Sequence, residues 1–329
     1  MTPAGALPAW PGPTAARPLR VAAVGGGTGL PRVLSGLAPG LEPEQGRAVQ
    51  VTALVSTADD GGSSGALRRA YGVPAPGDAR RCLEALAAGA SPLASLFEHR
   101  FEGEGALAGH TVGNVILTAL AQRLGDFDAA LDAAARLLGA RGRVVPAVEG
   151  LAQLVAVLED GREVRGESAI AAARGRVARL GLARPAPAPR RALAAVLEAD
   201  LVVMGPGSLF SSVLAGLLGT GMAAALRTTR ALRVLVVNLR TEPGETEGCD
   251  AAAHVAALQR QLGDVVDAAV IQHPAAPAQV GGVAAVAAAV EAMGVVPVLL
   301  DLEAPGRPGR HDPQRLARVL LDLARMREG

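Results

Sequence analysis

Strands alternating with helices, four of them closed by polar glycine-rich loops, predict an α/β protein. The expected architecture is a Rossmann-like, doubly wound, mostly parallel sheet with a small β-rich insertion. Residues 21–24 run into Gly25-Gly26-Gly27-Thr28-Gly29, and residues 51–55 into Ser56-Thr57-Ala58-Asp59-Asp60-Gly61-Gly62-Ser63-Ser64-Gly65. Residues 201–204 lead to Gly205-Pro206-Gly207-Ser208, and residues 234–237 to Asn238-Leu239-Arg240-Thr241-Glu242-Pro243-Gly244-Glu245-Thr246. In an open parallel sheet such loops share the carboxyl edge, where ligands bind at a switch in strand order. Glycines there let backbone N–H groups approach a phosphate, and the following helix offers its positive end.

The elements follow in order. Leu30, Val33, Leu34 and Leu37 recur at helical spacing after the first loop, predicting a helix over 29–37. After a strand over 51–56, a long polar loop reaches Pro76-Gly77-Asp78, with Asp78 as N-cap of a helix ending at Leu86. Helices are expected over 92–99, from near Thr111, and over 126–138. Residues 151–158, the turn Glu159-Asp160-Gly161 and residues 162–165 read as a β-hairpin. With the basic stretch to Arg191 they form the insertion, about residues 143–190. Alternation resumes with strands over 200–204, 233–238, 267–271 and 295–300. Between and after them come helices over 208–217, 221–229, 250–262, 283–293 and 313–326. The apolar run from Gly281 to Leu300, interrupted by Glu291, Gly294 and Pro297, reads as a buried helix and a strand rather than a membrane span. Residues 1–20, rich in Pro and Ala, read as a flexible tail, and residues 21–329 as one domain.

Composition narrows the function. The chain is 50% hydrophobic and 19% charged with net charge +1, which gives no electrostatic footprint for nucleic acid. Cys82 and Cys249 lack metal-ligand spacing and frame no disulfide scaffold, which fits a reducing cytoplasm. All 32 basic residues are arginine, so a Walker-type lysine and a Schiff-base lysine are excluded. The glycine loop is not a dinucleotide fingerprint either, because Leu30 or Arg32 falls where the third glycine belongs. It remains a generic phosphate nest or a tight strand–helix turn. Asp59-Asp60 can hold Mg²⁺, hydrogen-bond a base or ribose edge, or simply cap a turn. Ser63 and Ser64 are candidate phosphate donors. His110 is a candidate general acid/base or phosphate donor, or a residue that only starts a helix. Asn114 and Asn238 are the chain's two asparagines, at a helix start and a strand end.

Seven blocks carry a resemblance. They are Gly25-Gly-Gly-Thr-Gly-Leu30, Ala58-Asp-Asp-Gly-Gly-Ser-Ser-Gly65, Pro76-Gly-Asp78, Gly109-His-Thr-Val-Gly-Asn114, Gly166-Glu-Ser168, Gly205-Pro-Gly-Ser208 and Pro243-Gly-Glu-Thr246. In this order they resemble the bacterial gluconeogenesis-factor family, related to the 2-phospho-L-lactate transferase (CofD) of coenzyme F420 biosynthesis, with a weaker match to Arg310-His311-Asp312. The resemblance implies a cytoplasmic UDP-sugar binder of the UDP-N-acetylglucosamine type, acting in cell shape and wall synthesis during gluconeogenic growth. Cell-wall synthesis proteins and a second copy of the chain are its expected partners. The alternative it implies is a Mg²⁺-dependent phospho- or nucleotidyl-transferase, with Asp59, Asp60 and His110 as catalytic candidates and Asp59-Asp60 as metal ligands. The ligand set expected is Gly26, Gly27, Thr28, Gly29, Asp59, Asp60, Ser63, Ser64, Asp78, His110, Asn114, Gly205, Gly207, Ser208, Asn238, Thr241 and Arg310. The chain departs from its branch at Phe210 and Cys249, where tyrosines are common.

Overall fold

The computed structural model describes residues 17–38, 48–88, 92–242, 244–273 and 283–327. Its first half comprises β1 (Leu19–Gly25), α1 (Gly29–Leu37), β2 (Val49–Val55), α2 (Gly62–Tyr71), α3 (Gly77–Leu86), α4 (Pro92–Glu98), α5 (Val112–Leu124) and α6 (Phe127–Leu138). Then come β3 (Arg143–Pro146), β4 (Leu154–Leu158), β5 (Glu163–Arg165), α7 (Glu167–Ala172), β6 (Val177–Leu182), α8 (Arg190–Leu197) and β7 (Leu201–Met204). A wide-turned helical segment, Leu209–Leu214, and a tight turn, Ala215–Leu217, precede α9 (Met222–Thr228) and β8 (Leu232–Val236). The chain closes with α10 (Ala251–Leu262), β9 (Ala268–Gln272), α11 (Val283–Glu291), β10 (Val296–Leu300), β11 (Glu303–Ala304), β12 (Arg307–His311) and α12 (Pro313–Met326).

Seven strands form one parallel sheet in the order β10-β9-β8-β7-β1-β2-β3, so the strand order reverses between β1 and β7. Period-2 side chains divide the core into two layers. Val21, Ala23, Val51, Ala53, Val203 and Val234 face α1, α3, α5, α6 and α12. Ala22, Val24, Leu54, Val202, Met204 and Leu235 face α8, α9 and α10. Both faces are covered, so these strands read as unbroken apolar runs. Each such Val or Leu contributes about 1.5–3 kcal/mol by leaving water. Helix ends follow local chemistry: Thr111, Asp126, Asp250 and Asp312 accept a first-turn N–H, and Gly125 and Gly139 end α5 and α6 in the left-handed conformation.

Four expectations need correction. The polar loop after β2 contains α2, whose glycines and serines disguised it as a connector. Asp78 sits in the first turn of α3 rather than capping it, because its carboxylate reaches across to the first glycine loop. The insertion starts later than residue 143: Arg143–Pro146 is the edge strand of the central sheet, and the small sheet is three-stranded and antiparallel, β5-β4-β6, around α7. Finally, α11 is not a buried helix. Val286 and Val290 are its buried residues, and the edge strand β10 leaves Val296 61% exposed. The expected tail over 1–20 falls mainly on residues 1–16, outside the described residues, while Leu19 and Arg20 open β1.

Candidate functional site

The carboxyl ends of β1 and β7 meet at the switch point, and their loops are stitched together there. Gly29 lies against the Pro206 carbonyl, where a side chain would collide with backbone. Gly27 N–H donates to Asp78 Oδ2 at 2.6 Å, and Arg81 Nε donates to the Gly27 carbonyl at 2.9 Å. Burial pushes the Asp78 carboxyl up, against the pull of its Arg81 ion pair and the Gly27 N–H. On the β7 loop, Asn238 accepts from Gly207 N–H and donates to the Gly207 carbonyl, both at 2.9 Å. Glu245 accepts from Ser211 Oγ at 2.5 Å and from Phe210 N–H at 3.2 Å, so a buried carboxylate caps the helical segment after β7. Several groups expected to cradle a phosphate are thus engaged by the protein's own acceptors.

Toward β2, carboxylates accumulate. Asp59, Asp60 and Glu167 each offer an oxygen within 4.8 Å of the other two. Asp59 Oδ1 accepts Gly61 N–H at 2.8 Å, and Asp60 Oδ1 accepts Ser168 N–H at 2.9 Å, tying α7 to the β2 loop. The other end of α7 presses on the β8 loop, with the Ala171 carbonyl against Gly244. The insertion therefore roofs the crevice. Burial, then the charges of Asp59 and Asp78, push the Glu167 carboxyl up to about 9. Three oxygen donors of this kind suit a hard divalent cation such as Mg²⁺, which would remove that repulsion.

Toward β8 the sign reverses. Arg32, on the first turn of α1, donates from Nε to the Thr28 carbonyl at 3.2 Å. Burial lowers its pKa first, and repulsion from Arg310 and Arg307 lowers it further. His311 is 5% exposed and held down at about 4, by burial and then by Arg32. Glu303, on the paired strand β11, lies close by, with its carboxylate on Gly309 N–H and 3.7 Å from Arg240.

Beside the carboxylates, Ser63 Oγ lies 2.9 Å from His110 Nδ1 and 3.1 Å from Asn114 Nδ2. Asn114 Oδ1 accepts from Arg80 Nε at 3.1 Å, and Arg80 pairs with Glu84 through bonds of 2.6 and 2.8 Å. Gly113 leaves room for Arg80, since a side chain there would meet the Arg80 methylenes and Phe97.

Of the expected site residues, the structure brings together Gly26, Gly27, Thr28, Gly29, Asp78, Gly205, Gly207, Ser208 and Asn238 at the switch point. Asp59, Asp60, Ser63, Ser64, His110 and Asn114 form the β2 side, where the Ser64 hydroxyl is buried against Gly77. Arg310 belongs to the arginine cluster. Thr241 lines a small cavity with Asn238, Cys249 and His254. Phe210 is 7% exposed and packs in the core, so it offers no stacking face here. Sequence reasoning missed Glu167, Arg32, Arg80 and Glu245. The block Gly166-Glu-Ser168 held the signal for the first, and Arg32 stood two residues past the glycine loop. The largest cavity described, about 620 Å³, lies elsewhere, at the end of β3 among Phe127, Pro146, Val148 and Arg190.

Fold and crevice define the class: a Rossmann-like α/β protein with carboxylates on one side of its strand-order switch and arginines on the other. The family model of the 2-phospho-L-lactate transferase CofD matches residues 21–303. The chain is 39% identical over 326 residues to a "Putative gluconeogenesis factor" of Nostoc, covering 92% of this chain and 68% of that one. It is 43% identical over 313 residues to the Mycobacterium tuberculosis protein of the same name, covering 91% and 89%. A crystal structure of a UPF0052 family protein from Bacillus halodurans superposes with a TM-score of 0.85 at 34% identity, covering 93% of this chain and 99% of that one. The chain belongs to the CofD-like family, among its gluconeogenesis factors.

Proposed function

We propose that the protein is a regulatory nucleotide-sugar binder, holding a UDP-sugar of the UDP-N-acetylglucosamine type across the β1–β7 switch. The observation that carries this reading is Arg32, held on the Thr28 carbonyl beside the glycine loop with Arg307 and Arg310 near enough to repel its charge, a repulsion a diphosphate would relieve. The opposite side, Asp59, Asp60 and Glu167, would hold a divalent cation that bridges to the same diphosphate. In this reading, occupancy reports wall-precursor supply in the cytoplasm and changes contact with cell-wall synthesis proteins, in support of cell shape during gluconeogenic growth. The chain is read as able to self-associate. No described helix is long and apolar enough to cross a membrane.

The carboxylate trio favours a second reading, a Mg²⁺-dependent transferase of phosphorus-containing groups, in line with the name of the matching family. Without lysine, charge developing on a transferred phosphoryl group would rest on arginine, backbone N–H groups and the metal. One experiment separates the two. Purified protein is incubated with UDP-N-acetylglucosamine, and separately with GTP, phospholactate and a deazaflavin acceptor, each with and without Mg²⁺. Binding of the UDP-sugar without conversion supports the binder. Turnover that Asp59→Asn abolishes establishes the transferase, and binding of neither set of ligands rejects both.

A further inference from the structure

The hydrogen bonds around Ser63 fix the orientation of the Asn114 amide. Arg80 is donor-only, so Asn114 Oδ1 must be the atom facing Arg80 Nε, and the amide cannot be flipped. Its Nδ2 therefore donates to Ser63 Oγ. The Ser63 hydroxyl can then donate to His110 Nδ1 at 2.9 Å, and since Ser63 Oγ keeps a second lone pair that could instead accept from Nδ1–H, the tautomer belongs to the proposal. An Nδ1 that accepts leaves the neutral imidazole with its proton on Nε2, and no described protein group accepts from that nitrogen. The frame behind it is rigid: Asn114 is 3% exposed, and the side chains of Arg80 and Glu84 are each 8% exposed.

We propose that His110 is an oxyanion-recognising residue whose Nε2–H donates to a phosphate oxygen of the ligand, and that Asn114, with the Arg80–Glu84 pair behind it, is the positioning residue that selects this tautomer. The inference rests on the reading of the crevice as a phosphate-ligand site, and it gives the buried Arg80–Glu84 pair a task. Ser63 lies two residues beyond Gly61, whose N–H binds Asp59. Ser63, and with it the His110 ring, thus belongs to the β2 side of the crevice.

The tautomer is read directly by long-range ¹H–¹⁵N NMR of the His110 ring at alkaline pH. A proton on Nε2 is expected in the native chain. Asn114→Asp can still accept from Arg80 but cannot donate to Ser63, so the Ser63 hydroxyl turns to the new carboxylate and the ring proton moves to Nδ1. UDP and inorganic pyrophosphate serve as separate probes, and each should shift the Nε2–H resonance. His110→Asn keeps a group facing Ser63 but loses the outward N–H, so UDP affinity should fall about tenfold, as expected for one lost hydrogen bond. His110→Gln places an N–H near the Nε2 position and should recover most of that loss, at an unchanged melting temperature. A proton on Nδ1 in the native chain, equal loss in both variants, or a resonance unmoved by both probes overturns the proposal. If pyrophosphate moves the resonance while no UDP-sugar binds, the tautomer assignment stands and the nucleotide-sugar reading falls.

Discussion

The two sides of the crevice carry the same kind of imbalance with opposite sign. On the β2 side, three carboxyl groups converge and Glu167 holds its proton to about 9. On the α1–β12 side, Arg310 and Arg307 repel Arg32, and His311 stays neutral down to about 4. Farther from the crevice, Arg80 pairs with Glu84, Arg191 with Asp128 and Asp132, and Arg233 with Asp267. On the proposed reading, a guest would lie with its cation toward β2 and its anion toward α1.

The largest expected effect comes from breaking the carboxylate side. Asp59→Asn and Glu167→Gln should each weaken Mg²⁺-dependent binding of UDP-N-acetylglucosamine by about 1.5–3 kcal/mol, the scale of a hydrogen bond or contact to a charged group. Isothermal titration gives the affinity and thermal melting the fold. Normal binding in a protein that melts early would make the trio a structural cap instead. On the arginine side, Arg32→Gln should weaken the same ligand by about 1–2 kcal/mol, and the native affinity should fall as salt is raised. A salt-independent affinity would remove the arginines from the site.

The pH dependence of stability should divide along the same line. Glu167 has a folded pKa raised from 4.5 to about 9, so its contribution is fully present below about 4.5 and is lost as pH rises to about 9. His311 has a folded pKa lowered from 6.5 to about 4, so its contribution is present above about 6.5 and is lost as pH falls to about 4. Denaturant melts across this range should show the alkaline loss vanish in Glu167→Gln and the acid loss shrink in His311→Gln. Curves that superpose on the native protein's in both variants would show that neither group is perturbed. The smallest effect is expected at Arg240, whose ion pair with Glu303 is 3.7 Å long and exposed. Arg240→Ala should change stability by less than about 0.5 kcal/mol and ligand affinity little.

Six of the seven sheet strands were legible because they are apolar runs, four of them (β1, β2, β7 and β8) ending in a glycine-rich loop, while the edge strand β3 was read into the insertion. The β2 loop was harder. Gly62, Ser63, Ser64 and Gly65 are poor helix formers, yet they open α2, because burial of Ser64, Gly65 and Leu67 outweighs local propensity. Asp78 looked like a cap because an Asp before an apolar run usually is one. A partner 51 residues away, Gly27, took its carboxylate instead. The same distance in sequence hid Glu167 and Arg80, which gain chemical meaning only when the insertion folds over the crevice and α3 packs under α5. The Asp59-Asp60 pair was visible as chemistry, but not its third carboxylate.

The roof formed by α7 has a kinetic consequence. With Ser168 bonded to Asp60 at one end and Ala171 seated on Gly244 at the other, a guest that entered only when α7 lifted would reach the switch point in the fraction of molecules whose roof is open. Association would then be slowed by that fraction, and departure would wait for the same opening. A complex closed in this way would have a long residence time even at modest affinity. It would register the past level of its ligand, averaged over many openings, rather than the momentary one.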